Sequence, residues 1–126
     1  MKLKMKKLIF VVDDEPHVAE LLEAILVNEN FNVITASSGQ EALEKLNKKK
    51  PDLVILDIMM PGMTGFDVCE ELRSHNNTKG YKVIFLTALK LTAIDEQYLK
   101  RLKSLDYIMK PFDNNDIVAR IKKIVG

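Results

Sequence analysis

The sequence predicts an α/β fold, one parallel five-stranded sheet with helices on both faces, and two observations predict it. Leu8-Ile9-Phe10-Val11-Val12, Leu53-Val54-Ile55-Leu56 and Val83-Ile84-Phe85-Leu86 are short apolar runs without polar alternation, the pattern of strands buried on both faces. The segments between runs carry apolar residues at helical spacing and are long enough for right-handed crossovers. A third observation points to function. Four runs stop at a polar residue: the first at Asp13-Asp14, the next at Asp57 and Thr87, and Tyr107-Ile108-Met109 at Lys110. In a parallel sheet all carboxyl ends lie on one edge, where ligands bind. Three carboxylates, a hydroxyl and an ammonium are therefore expected in one crevice.

The elements follow in order. Pro16 suits the first turn of a helix, and Val18, Leu22, Ile25 and Leu26 mark its apolar face. Phe31 to Ala36 reads as the second strand. Ser38 with Glu41 predicts a capping box for the next helix, with Glu41–Lys45 and Glu44–Lys48 at i,i+4 spacing. Lys48-Lys49-Lys50 reads as a solvated helix end favourable to the dipole, and Pro51 ends that helix. Pro61-Gly62 makes a turn, Thr64 caps the third helix, and Cys69 falls on its apolar pattern with Phe66 and Leu72. Asn76 to Gly80 is a polar loop. A fourth helix is expected over Thr92 to Ser104, with Tyr98, Leu102 and Leu105 spaced for burial. Asp113 caps a fifth, with Ile117, Ile121 and Ile124 inward.

Size and composition exclude several classes. The 126 residues make one domain, 1–126, with no repeat, linker or second domain expected. The net charge of +1 argues against nucleic-acid binding through a general basic surface. Met1 to Lys7 is basic, but the run after it is too short for a membrane span or signal peptide. One cysteine allows no internal disulfide, which fits a reducing compartment such as the cytoplasm. His17 and His75 lack the companions of a zinc-type site, and no glycine-rich phosphate loop is present.

Asp57 is the candidate nucleophile, since a carboxylate can attack phosphorus and form an aspartyl-phosphate. Alone it reads equally as a capping residue; its partners give it weight. With Asp13 and Asp14 it leaves negative charge that one lysine cannot balance, which calls for a divalent cation. Oxygen-only ligands suit Mg²⁺. Lys110 brings a mobile point charge able to pair with Asp57 and then with the phosphoryl group, and Pro111 restricts its backbone. Thr87 offers a hydroxyl to a phosphoryl oxygen. Small Ala88 leaves room for the Tyr107 ring to turn inward if Thr87 moves.

Together VVDDEP at 11–16, LVILDIMMPGMTGFD at 53–67, VIFLTA at 83–88 and DYIMKPF at 106–112 resemble the response-regulator receiver domain, over residues 7–125. The resemblance implies the flavodoxin-like strand order 2-1-3-4-5. It implies that Asp57 takes a phosphoryl group from a histidine of a sensor kinase or phosphotransfer protein. Asp13, Asp14, Asp57 and the backbone carbonyl of Met59 would surround Mg²⁺. Thr87 and Tyr107 would carry the switch to the surface of the fourth helix, fifth strand and fifth helix. That surface serves as a homodimer interface in DNA-binding relatives; Asp106, Asp116 and Arg120 match it, while Leu105 stands where an acid is common. On this reading the domain is a phosphoacceptor switch, not an enzyme with turnover.

Two other functions compete. An aspartate-nucleophile phosphatase commonly needs a second acid two residues after the nucleophile, where this chain has Met59. A receiver-like module that no longer accepts phosphate would not need the acids, Thr87 and Lys110. Met59 and Leu89 flank the approach of a hydrolytic water in receiver domains, and both are apolar here. A long-lived phosphoryl state is the expectation.

Overall fold

The computed structural model describes residues 5–126; most of the basic lead, Met1 to Lys4, lies outside them. The elements are β1 (Leu8–Val12), α1 (Pro16–Asn28), β2 (Asn32–Ala36), α2 (Gly39–Lys48), β3 (Leu53–Asp57), α3 (Gly65–Arg73), β4 (Val83–Thr87), α4 (Ala93–Arg101), β5 (Asp106–Met109) and α5 (Asn114–Val125). All neighbours pair in parallel, in the expected order β2-β1-β3-β4-β5.

Every residue of β1, β3 and β4 is buried, because helices cover both faces. Successive side chains on a strand point to opposite faces. Phe10, Val12, Val54, Leu56, Val83 and Phe85 therefore meet α2, α3 and α4 through Ala42, Leu46, Val68, Leu72 and Leu99. Ile9, Val11, Leu53, Ile55, Ile84 and Leu86 meet α1 and α5 through Leu22, Leu26, Ile117 and Ile121. Full burial of each such side chain contributes about 1.5–3 kcal/mol. The two apolar layers thus clamp the strand ends that carry the polar residues.

Helix starts fall on that same edge. Thr64 and Thr92 form reciprocal capping boxes with Asp67 and Asp95, satisfying donors that a helix start leaves free. Asp113 caps α5 through the Asp116 N–H. The box expected at α2 is half formed. Ser38 accepts from the Glu41 N–H, but the Glu41 carboxylate takes the Ser37 N–H at 2.6 Å. Glu41 also pairs with Lys45 at 3.1 Å.

One burial expectation needs correction. α4 ends at Arg101, with Leu102 as its cap, short of Ser104. Lys103 then takes a left-handed φ of 60°, and the helical spacing stops applying. Leu102 stays buried, Tyr98 is half-buried, and Leu105 is 53% exposed as its N–H joins the Val83 carbonyl. On α5, Val125 closes the core while Ile124 is half-buried. On α1, Val18 and Ile25 are half-buried beside fully buried Leu22 and Leu26. Among the described residues no helix is long and apolar enough to cross a membrane.

Candidate functional site

Backbone hydrogen bonds continue past the ends of the central strands and fix the polar residues in place. The Asp13 N–H donates to the Ala36 carbonyl, Ile58 N–H to Leu86, and Lys110 N–H to Thr87 at 2.8 Å. Asp13, Asp57 and Thr87 are each only 1% exposed. Asp13, Asp14, Glu15 and Asp57 each bring a carboxylate oxygen to within 4.8 Å of the others. Among the described residues they form the one acidic group able to surround a cation, and neither histidine belongs to it.

Lys110 is the cation of the crevice. Its Nζ lies 2.8 Å from Asp13 Oδ2, 3.2 Å from Glu15 Oε1 and 3.4 Å from Asp57 Oδ2. The contacts with Asp13 and Asp57 are electrostatic, because both Oδ2 atoms are buried without an aligned hydrogen-bond donor. Asp57 Oδ1 accepts a long bond, 3.3 Å, from the Met59 N–H, and Asp13 Oδ1 accepts from the Glu15 N–H at 2.9 Å. Burial and the facing Asp13 carboxylate raise the Asp57 carboxyl to about 7, against the pull of Lys110 and the Met59 N–H. Burial pulls the Lys110 ammonium down, but Asp13, Asp57 and Glu15 outweigh it and hold it above its ordinary value.

The other expected residues stand around this center. The Thr87 hydroxyl is engaged within its own loop, donating to the Leu89 carbonyl at 2.9 Å and accepting from the Leu89 N–H at 3.0 Å. Tyr107 lies outside the crevice. Its ring is half-buried against the α2–α3–α4 layer, and its hydroxyl donates to Glu96 at 2.7 Å. Met59 and Leu89 are both 55% exposed. Arg120 pairs with Asp106 and Asp116 of its own chain at 2.9 and 3.0 Å. Cys69 is buried, and burial pushes its thiol up to about 11, as befits a core residue rather than a reactive one.

Two residues of the site escaped the sequence reading. Glu15 figures in the sequence only as part of the motif VVDDEP, although an acid directly after an Asp pair shares their edge. Gly65 opens α3 directly under the nucleophile's backbone, where a Cβ would collide with the Asp57 carbonyl oxygen. Its N–H donates to the Ile58 carbonyl at 3.1 Å. Only a residue without a side chain lets helix and strand approach so closely. The signal was a glycine immediately after a capping threonine.

The family model described as "Response regulator receiver domain" matches residues 9–122. The alkaline phosphatase synthesis transcriptional regulatory protein PhoP of Bacillus subtilis is 42% identical over 125 residues, 96% of this chain and 49% of that protein. The DNA-binding response regulator MtrA of Mycolicibacterium smegmatis is 40% identical over 118 residues, covering 94% and 50%. This chain thus spans about half the length of the curated relatives it matches. The receiver domain of the Francisella response regulator 1452 superposes with a TM-score of 0.85 at 30% identity, covering 95% of this chain and 97% of that one. Chemotaxis protein CheY4 of Vibrio cholerae gives a TM-score of 0.89 at 26% identity, covering 95% and 99%. With sheet order, site and relatives in agreement, this chain belongs to the response-regulator receiver domain family.

Proposed function

We propose that the domain, residues 1–126, is a phosphorylation-dependent switch in which Asp57 accepts a phosphoryl group from a sensor histidine kinase or phosphotransfer protein. The observation that carries this reading is the Asp57 carboxylate itself. It is held at a strand end with one oxygen free of hydrogen bonds, beside an ammonium 3.4 Å away. In the transfer a carboxylate oxygen attacks phosphorus. The bond from phosphorus to the donor's imidazole nitrogen breaks, and that nitrogen leaves with the electron pair. Lys110 meets the charge on the phosphoryl oxygens, and Thr87 can supply a hydroxyl once released from Leu89.

The residues present fit Mg²⁺. Two buried carboxylate oxygens lack hydrogen-bond donors, and four acids face one lysine, a donor set of hard oxygens. Asp13, Asp14, Asp57 and the Met59 backbone carbonyl would hold it. When bound, the cation offsets the charge that collects as phosphoryl group and carboxylate meet. Thr87 and Tyr107 relay the change to the surface of α4, β5 and α5, which offers partners or a second copy a changed face. The setting is the cytoplasm.

Labelling with a small phosphodonor and Mg²⁺ tests the proposal. Wild type should take up one phosphoryl group per chain, and Asp57→Asn, confirmed folded, should take up none. Continuous release of phosphate with no labelled protein would indicate a phosphatase instead. No labelling of wild type would reject the phosphoacceptor reading.

A further inference from the structure

Glu15 sits at the N-cap position of α1 yet its side chain caps nothing. It reaches across the crevice to a residue 95 positions away, and its Oε1 accepts a hydrogen bond from Lys110 Nζ at 3.2 Å. Of the three acids around that ammonium, Glu15 alone receives an aligned hydrogen bond; the Oδ2 atoms of Asp13 and Asp57 do not. Asp57 is also the most distant, at 3.4 Å. The ammonium is therefore aimed at Glu15 rather than at the nucleophile. A phosphoryl group on Asp57 would carry between one and two negative charges and would compete with Glu15 for the ammonium.

We propose that Glu15 is a positioning residue that tethers Lys110 at rest and competes with the incoming phosphoryl group for its ammonium. Glu15 thereby slows the loading of Asp57. This rests on Asp57 being the phosphoacceptor, and it assigns a task to a residue outside the nucleophile and its expected cation shell. Glu15 is exposed at the helix start, so Glu15→Gln keeps the size and leaves the core untouched.

With Mg²⁺ saturating, so that any change in cation affinity drops out, Glu15→Gln should label about fivefold faster than wild type, the factor that an ion pair of about 1 kcal/mol represents. In a Lys110→Met background the same substitution should bring no gain, since the tether has no ammonium to hold. A gain that persists without Lys110 would show that Glu15 merely repels the phosphodonor, and no gain in either background would also overturn the tether. A second readout needs no phosphate. In Glu15→Gln the Lys110 ¹⁵Nζ resonance should shift and its ammonium rotate faster, as one hydrogen bond is lost. An unmoved resonance would overturn the tether even if labelling works. If wild type is not labelled, the phosphoacceptor reading fails separately, while the resonance still reports on the contact.

Discussion

The two edges of the sheet treat polar groups in opposite ways. At the amino edge several have fixed partners on the backbone. The Arg73 guanidinium donates to the carbonyls of Leu102, Lys79 and Tyr81, at 2.8, 2.7 and 2.6 Å, and more weakly to Lys103. Tyr81 donates to the Leu46 carbonyl, Thr78 to Leu72, and Asp52 accepts from the Leu8 N–H. At the carboxyl edge four acids cluster, three of them around one lysine, and two buried oxygens have no aligned donor. Buried polar groups without partners are costly, so such an excess persists where a ligand or reaction resolves it. The amino edge satisfies its polar groups, and the carboxyl edge carries the unbalanced charge that the proposed phosphoacceptor role would use. Substitutions at the two edges should therefore differ in kind.

The largest difference is expected with Mg²⁺. Titrated into wild type, it should shift the backbone resonances of Ile58 and Gly65, which flank Asp57. The double variant Asp13→Ala, Asp14→Ala should need more than about 100-fold higher concentrations, because even outer partners of a metal site are worth 10–100-fold in affinity. Asp52→Ala, an acid of the amino edge, should respond as wild type. Equal affinity in the double variant would remove Asp13 and Asp14 from the shell.

Stability should move in opposite directions at the two edges. Arg73→Met strips hydrogen bonds from several carbonyls and should cost about 2 kcal/mol in urea unfolding, with phosphoryl uptake unchanged. Asp57→Asn relieves a buried, repelled charge and should gain on the order of 1 kcal/mol. That gain has a pH dependence. Asp57 is raised from 3.8 to about 7, so the native state binds its proton more tightly than the unfolded chain. The corresponding stability is present below about 4 and is lost as pH rises through about 7. The asparagine variant lacks this loss, so its advantage should widen over that window. A constant difference would mean that Asp57 is not held neutral by its surroundings.

Much of this contrast was legible in the sequence, because it follows from where strands stop. Asp57 and Thr87 close apolar runs, and the pairing register carries them to one edge. What escaped depends on distances that no local pattern encodes. The Arg73 bonds join residues up to 30 positions apart. The Gly65 approach is a backbone-to-backbone contact, and the Glu15 reach depends on the orientation of one side chain. Leu105 misled because helical spacing runs on in the sequence past the left-handed turn at Lys103 that ends the helix in space. Thr87 and Tyr107 were found as residues, but their hydroxyl partners, Leu89 and Glu96, were not. A hydroxyl chooses among several near neighbours, and sequence does not rank them.

The smallest effect concerns how long the carboxyl edge would hold a phosphoryl group. Hydrolysis of an aspartyl-phosphate needs a water in line with phosphorus, held by polar neighbours. Met59 and Leu89 flank that approach in receiver domains, and here both are apolar and 55% exposed. Neither side chain can orient a water, and both are long enough to displace one. One lost orienting contact of about 1.4 kcal/mol slows the step tenfold, so the phosphoryl state should be long-lived. Met59→Asn and Leu89→Glu restore polar groups at the rim without touching the core, and the pair should shed phosphate about tenfold faster than wild type. If the rate of phosphate loss is the same in all four proteins, the two apolar side chains merely line the rim, and the lifetime is set inside the crevice by Lys110 and the acids.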